Sequence, residues 1–203
     1  MSLTIIIIII TGIVSFLAFQ NQQLFDKLKF NAYYIRRDRE WHRFLSHALL
    51  HADFAHLIIN MIVLWSFGRV VQSFFSMDFG GAGLLYFLGL YIGGAFFSTL
   101  YDYAKQKDNI HYNAVGASGA VAAVVFSSII LYPGGSIFLF FIPIGIPSWL
   151  FGLLYLVYSA YMGKRGQGNI GHNAHFWGSV YGIVYTILIN PAYLGEFIER
   201  LGG

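Results

Sequence analysis

Read as alternating apolar and polar positions, the chain resolves into six long apolar runs joined by shorter polar segments. They cover roughly residues 3–19, 54–75, 82–101, 114–132, 146–162 and 172–190. A helix rises 1.5 Å per residue, so about 20 apolar residues cross a hydrocarbon core of about 30 Å. The pattern therefore predicts six transmembrane helices. Polar punctuation falls between them. "YPGGS" (132–136) ends the fourth run, and "IPIGIP" (142–147) precedes or kinks the fifth, because proline cannot continue a helix without strain. "MGKRGQGN" (162–169) reads as a flexible loop before the sixth. The first run has no basic flank and no A-x-A cleavage site, and is expected to be a retained span rather than a signal peptide. No repeat or second domain is visible, so residues 1–203 are expected to form one membrane domain.

Composition fixes the solvent. Of the residues 57% are hydrophobic and 10% charged, against about 25% charged in a soluble domain. The expected class is an all-α membrane protein. The net charge of +3 does not point to nucleic acid, since the Lys and Arg residues lie in short loops between apolar runs and read as interfacial charges. Residues 20–53 mix Lys27, Lys29, Arg36, Arg37, Arg39 and Arg43 with Phe30, Tyr33, Tyr34, Trp41 and Phe44, which suggests a segment lying in the interface. Cysteine is absent, which excludes a thiol nucleophile, a disulfide framework and thiolate metal sites.

In a six-span bundle the second, fourth and sixth helices begin on the same membrane face. Near those beginnings stand His51, His56 and Asn60, then Ser118, then His172 and His175. They share one shallow level, and costly polar groups inside a membrane are functional candidates. Ser118, within Gly116-Ala117-Ser118-Gly119-Ala120, could by itself be helix packing. Gly178 and Gly182, however, share a helix face with His175, and such a face calls for a close neighbouring helix. Gly119, Ala122 and Ala123 offer the matching surface. Together they make a Ser118–His175 nucleophile–base contact plausible. His56 and Asn60, spaced i, i+4, can both donate to an oxyanion. His47 and His51 are expected to anchor the loop, His172 to lie at the water surface, and Asp53 to be a solvated cap. No acid lies deep in a span near His175, which points to a dyad rather than a triad.

Three motifs together resemble the rhomboid intramembrane serine proteases: "GASG" (116–119), "AHFWGSVYG" (174–182) and "HALLHADFAHLIIN" (47–60). Each is weak alone, but they occur in the family's order and on the expected spans. The resemblance, to the minimal six-span bacterial form, covers nearly the whole chain. It implies Ser118 as nucleophile, His175 as general base, and His56 and Asn60 lining an oxyanion hole with the Ser118 backbone N–H. It also implies an integral multi-pass protein of a bacterial inner (cell) membrane, cleaving transmembrane segments of other proteins within the lipid bilayer. No cofactor, metal or nucleic acid is implied. Arg43 stands where the family's tryptophan–arginine motif places its arginine, preceded here by His42. The chain departs from the family at Ala122, where many members carry a tyrosine packed on the histidine, and at Gln72, where a glutamate is common. Ten of the twelve Lys and Arg residues lie in the odd-numbered loops, which the positive-inside rule would make cytoplasmic. The resemblance implies the reverse, and we follow it because a loop embedded in the interface need not obey a rule for free loops. Two other readings are an inactive rhomboid-like binder of membrane helices, and a metal protein using His47, His51, His56, His172 and His175.

Overall fold

The computed structural model describes residues 2–138, 144–165 and 171–202. Helix α1 spans Leu3–Phe19. Three short helices follow, α2 (Gln22–Leu28), α3 (Ala32–Asp38) and α4 (Arg43–Ser46), with a 3-10 turn at His47–Leu49. The long helices α5 (Phe54–Phe79) and α6 (Gly83–Gln106) are joined by a 3-10 turn, and α7 covers Ser118–Leu131. A two-stranded antiparallel ribbon, β1 (Ser136–Ile137) with β2 (Ile146–Pro147), leads to α8 (Ser148–Arg165). Helices α9 (His172–Ile189) and α10 (Ala192–Gly202) complete the described chain.

A helix stands at each of the six apolar runs. Helices α5 and α6 extend past the runs that predicted them, whereas α7 starts only at Ser118, leaving 114–117 as a loop. Neither the ribbon nor α10 was expected. Among the described residues, the continuous stretch Phe54–Gln106 is long and apolar enough to cross a membrane, while Leu3–Phe19 and Ser118–Leu131 are shorter apolar helices. Tyr, Ser, Gly, His and Asn dilute the apolar character of α8 and α9. The expected break at 142–147 and loop at 162–169 fall partly outside the described residues; within them, 162–165 are the end of α8.

Residues 20–53 form a folded lobe. Asn21 and Asn31 cap α2 and α3 by accepting from the Leu24 and Tyr34 amides, and Asp53 caps α5 through the His56 amide. Arg43 is only 5% exposed. It pairs with Glu40, donates to the Asp26 and Lys29 carbonyls at 2.7 Å each, and lies over the Tyr34 ring. Buried charge is tolerable here because the guanidinium finds three acceptors and a π face. Phe30 and Phe44 pack this lobe against Phe96 and Tyr103 of α6. Trp41 is left 58% exposed, as an interfacial anchor would be.

The core is built around α7. Every residue of that helix except Ser118 is buried. Leu64, Val71 and Phe75 of α5 and Phe87 and Leu90 of α6 close around it. On the remaining side α9 runs parallel to α7 in a fixed register. A Cβ at Gly178 would overlap the Gly119 carbonyl, and one at Gly182 the Ala123 carbonyl. One turn on, the Thr186 and Ser127 hydroxyls are hydrogen-bonded at 2.7 Å. The two backbones therefore meet directly along a small-residue seam, as close-packed membrane helices do. The Gly178/Gly182 face expected from the sequence is this seam, against Gly119 and Ala123.

Candidate active site

The seam sets the level of the candidate residues. Gly119 is held between Ser98 of α6 and the Ala174 carbonyl of α9. Its neighbour Ser118 opens α7, and Ala174's neighbour His175 lies in the first turn of α9, both half-buried. The approach to Ser118 turns at Gly116, whose φ of 124° is open to glycine alone among ordinary residues. There is also no room for a side chain: a Cβ there would lie 2.8 Å from His56 Cε1 and 3.7 Å from Ser118 Oγ. His56 and Ser118 thus flank one point beside the Gly116 backbone. Asn60 is buried, but its Nδ2 donates to the His56 carbonyl at 2.9 Å, so one of its N–H bonds is already engaged within α5.

His51 and His47 do more than anchor a loop. His51 is fully buried, its Nδ1 bonded to Ser15 Oγ at 3.0 Å. Because the Ser15 hydroxyl itself donates to the Leu49 carbonyl at 2.8 Å, His51 Nδ1 carries the proton. Nε2 is then free to accept from the Ala117 amide at 3.4 Å, one residue before Ser118. The His47 carbonyl accepts from Gly116 N at 3.0 Å. Burial pushes the His47 imidazole down to about 4, and burial reinforced by His56 pushes His51 down to about 3. His51 holds the turn before Ser118 through its neutral ring, and His47 through its backbone carbonyl.

One expectation needs correction. His172 is not at the water surface: it is 6% exposed, because α8 leans over the first turn of α9 and Tyr158 meets its ring edge-on at 5.4 Å. A buried acid does stand near the start of α9, although not deep in a span. Asp102, one residue beyond the third apolar run, is buried in the last turn of α6 and accepts from Asn173, two residues before His175. The sequence also left open what faces His175 where Ala122 replaces a tyrosine. The Tyr155 ring of α8 stacks on the imidazole, with centroids 6.1 Å apart and planes at 25°. Asp53 is the exposed cap expected of it. Gln72 Oε1 accepts from Ser2 Oγ, Thr4 N and Thr4 Oγ1, capping the start of α1 far from Ser118. Among the described residues no three His, Asp or Glu side chains converge as metal ligands would.

A helical bundle with a serine and a histidine opening two parallel, seam-packed helices defines a class of membrane-embedded protein. The profile described as Rhomboid domain matches residues 38–192, and the chain belongs to the rhomboid family, whose members are membrane-integral. It is 30% identical over 160 residues to Rhomboid protein 1, mitochondrial, of Saccharomyces cerevisiae, covering 76% of this chain and 43% of that relative. It is 30% identical to RHOMBOID-like protein 12, mitochondrial, of Arabidopsis thaliana over 68% of this chain and 43% of that protein. Rhomboid protease GluP of Bacillus subtilis is 34% identical over 82 residues, 40% of this chain and 14% of its own length. The chain thus spans under half the length of the curated relatives it matches.

Proposed function

We propose that the chain is an intramembrane serine endopeptidase of six spans that cleaves transmembrane segments of other membrane proteins. The observation that carries this reading is that His56 and Ser118 flank the Gly116 turn, while the seam that packs α7 on α9 joins the helix that begins at Ser118 to the one that bears His175 in its first turn. Ser118 Oγ attacks the peptide carbonyl while His175 takes its proton. The negative charge on the tetrahedral oxygen is met by His56, the free N–H of Asn60 and the Ser118 amide. His175 then returns the proton to the leaving amine, and water, activated in the same way, hydrolyses the acyl-enzyme. Family membership and the relative named a protease support the reaction class. Two of the relatives above are named mitochondrial and one is bacterial, so the expectation of a bacterial cell membrane loses its ground, and we assign a membrane without a compartment.

The test is kcat/KM on one transmembrane substrate in one detergent, with fluorophosphonate labelling alongside. Ser118→Ala should fall to background and lose the label, with His175→Ala nearly as low. Loss of one oxyanion donor costs roughly 10²–10³ in kcat in the best-studied case. His56→Ala and Asn60→Ala should lose part of that, the double variant more than either. Equal labelling of wild type and Ser118→Ala would overturn the assignment. A properly folded wild type that neither labels nor cleaves would favour the inactive helix binder.

A further inference from the structure

Asp102 is a carboxylate with 4% exposure, in a helix whose other charged residue is Lys105. A buried charge needs donors, and both of its oxygens have one from elsewhere in the chain. Oδ1 accepts from Asn173 Nδ2 at 3.2 Å, and Oδ2 from the Tyr112 hydroxyl at 2.8 Å. The nearby Lys105 ammonium lies instead over the Tyr101 ring, 4.7 Å from its centroid. Asn173 has little freedom to turn away, because its Oδ1 faces Gly163 of α8 so closely that a Cβ there would overlap it. Tyr112 is fixed from the other side: its carbonyl accepts from Asn31 Nδ2 at 3.2 Å, and its ring meets Phe30 edge-on at 6.4 Å.

Tyr112 lies in the loop that delivers Ser118, and Asn173 lies in the first turn of α9, which presents His175. We propose that Asp102 is a positioning residue, clamping the base-bearing helix to the nucleophile's approach loop. The proposal rests on the roles given to Ser118 and His175 above. Asp102 touches neither residue. It fixes the two pieces of backbone from which they project, and reactions that depend on such alignment lose rate steeply on misplacements of about 1 Å.

A swap of the hydrogen-bonding pair tests the clamp. Wild type, Ser118→Ala, Asp102→Asn, Asn173→Asp and the double variant Asp102→Asn/Asn173→Asp are compared for kcat, KM and unfolding midpoint in one detergent with one transmembrane substrate. Asn173→Asp sets two carboxylates against each other and should lower kcat roughly 10- to 100-fold with KM changed less than about twofold. An acid in the first turn favours a helix, so loss of α9 itself would not explain that result. The double variant restores the pair with donor and acceptor exchanged, and should recover kcat to within a few-fold of wild type. A double variant no faster than Asn173→Asp, or an Asn173→Asp that keeps wild-type kcat, would overturn the clamp. If wild type turns over no faster than Ser118→Ala, the protease reading fails separately. The unfolding midpoints then decide: recovery in the double variant supports the clamp, and additive loss overturns it.

Discussion

Helices α7 and α8 both pack against α9, and they are held in opposite ways. All but the first residue of α7 is buried, and its backbone touches α9 along the glycine seam. In α8 only Ser148, Gly152 and Ser159 are buried out of 18 residues, and beside the Gly163–Asn173 contact its approach to the two histidines of α9 runs through rings, Tyr155 on His175 and Tyr158 on His172. The serine thus stands on the most enclosed helix, while the ring facing the histidine comes from one largely open to its surroundings. Damage on the α7 side should be felt by the whole fold, and damage on the α8 side by the site alone.

The largest effect should come from the seam. Gly178→Leu forces a side chain into the Gly119 carbonyl; overpacking typically costs about 1–3 kcal/mol, and here backbone must move to relieve it. Activity and the unfolding midpoint should fall together, and a stable but inactive variant would break the comparison. Tyr155→Ala should instead separate the two quantities. An aromatic pair contributes about 0.5–1.5 kcal/mol, so kcat should drop up to about 10-fold with little change in midpoint. Tyr155→Phe, which keeps the ring, should stay close to wild type. If Tyr155→Ala unfolds the protein, α8 is not the peripheral element described here.

Acid should sharpen the contrast from the α7 side. His47 and His51 titrate lower in the folded chain, at about 4 and about 3, than the ordinary 6.5. Below 6.5 the unfolded chain therefore binds protons that the folded one does not, so stability is complete above that pH and falls as acid is added towards pH 4. A doubly protonated His51 could no longer accept from Ala117, so the folded protein should keep this contact down to about pH 4 and lose activity through it only as the pH approaches about 3. Thermal scans across pH should show the slope, flattened in His51→Gln. The smallest effect on activity is expected at Gln72→Leu. It removes the acceptor at the start of α1, which typically costs about 0.5–2 kcal/mol, and should leave kcat unchanged.

The sequence made the seam legible because Gly178 and Gly182 repeat at helical spacing and Gly119 and Ala123 do the same on the other run. Ser118, His56 and His175 were legible because polar residues are rare in such runs. Tyr155 was not, since one aromatic in a run rich in aromatics carries no mark, and the register of α8 against α9 is set by packing rather than by spacing. Asp102 escaped because it stands at the end of a span, where an acid usually faces water; only Tyr112 and Asn173, distant in sequence, make its position unusual. His172 was misplaced for a related reason: proximity to a helix start suggests exposure, and the cover given by Tyr158 depends on tertiary structure.

The parallel pairing of α7 with α9 has a consequence for biosynthesis. Parallel neighbours cannot be consecutive helices joined by a tight turn, and here α8 must return the chain between them. On the proposed roles, a nascent chain that has emerged as far as α8 carries the nucleophile without the base. The Asn173 donor, the imidazole and the second half of the seam all arrive with α9. A hydrolase assembled in that order stays inert until α9 docks.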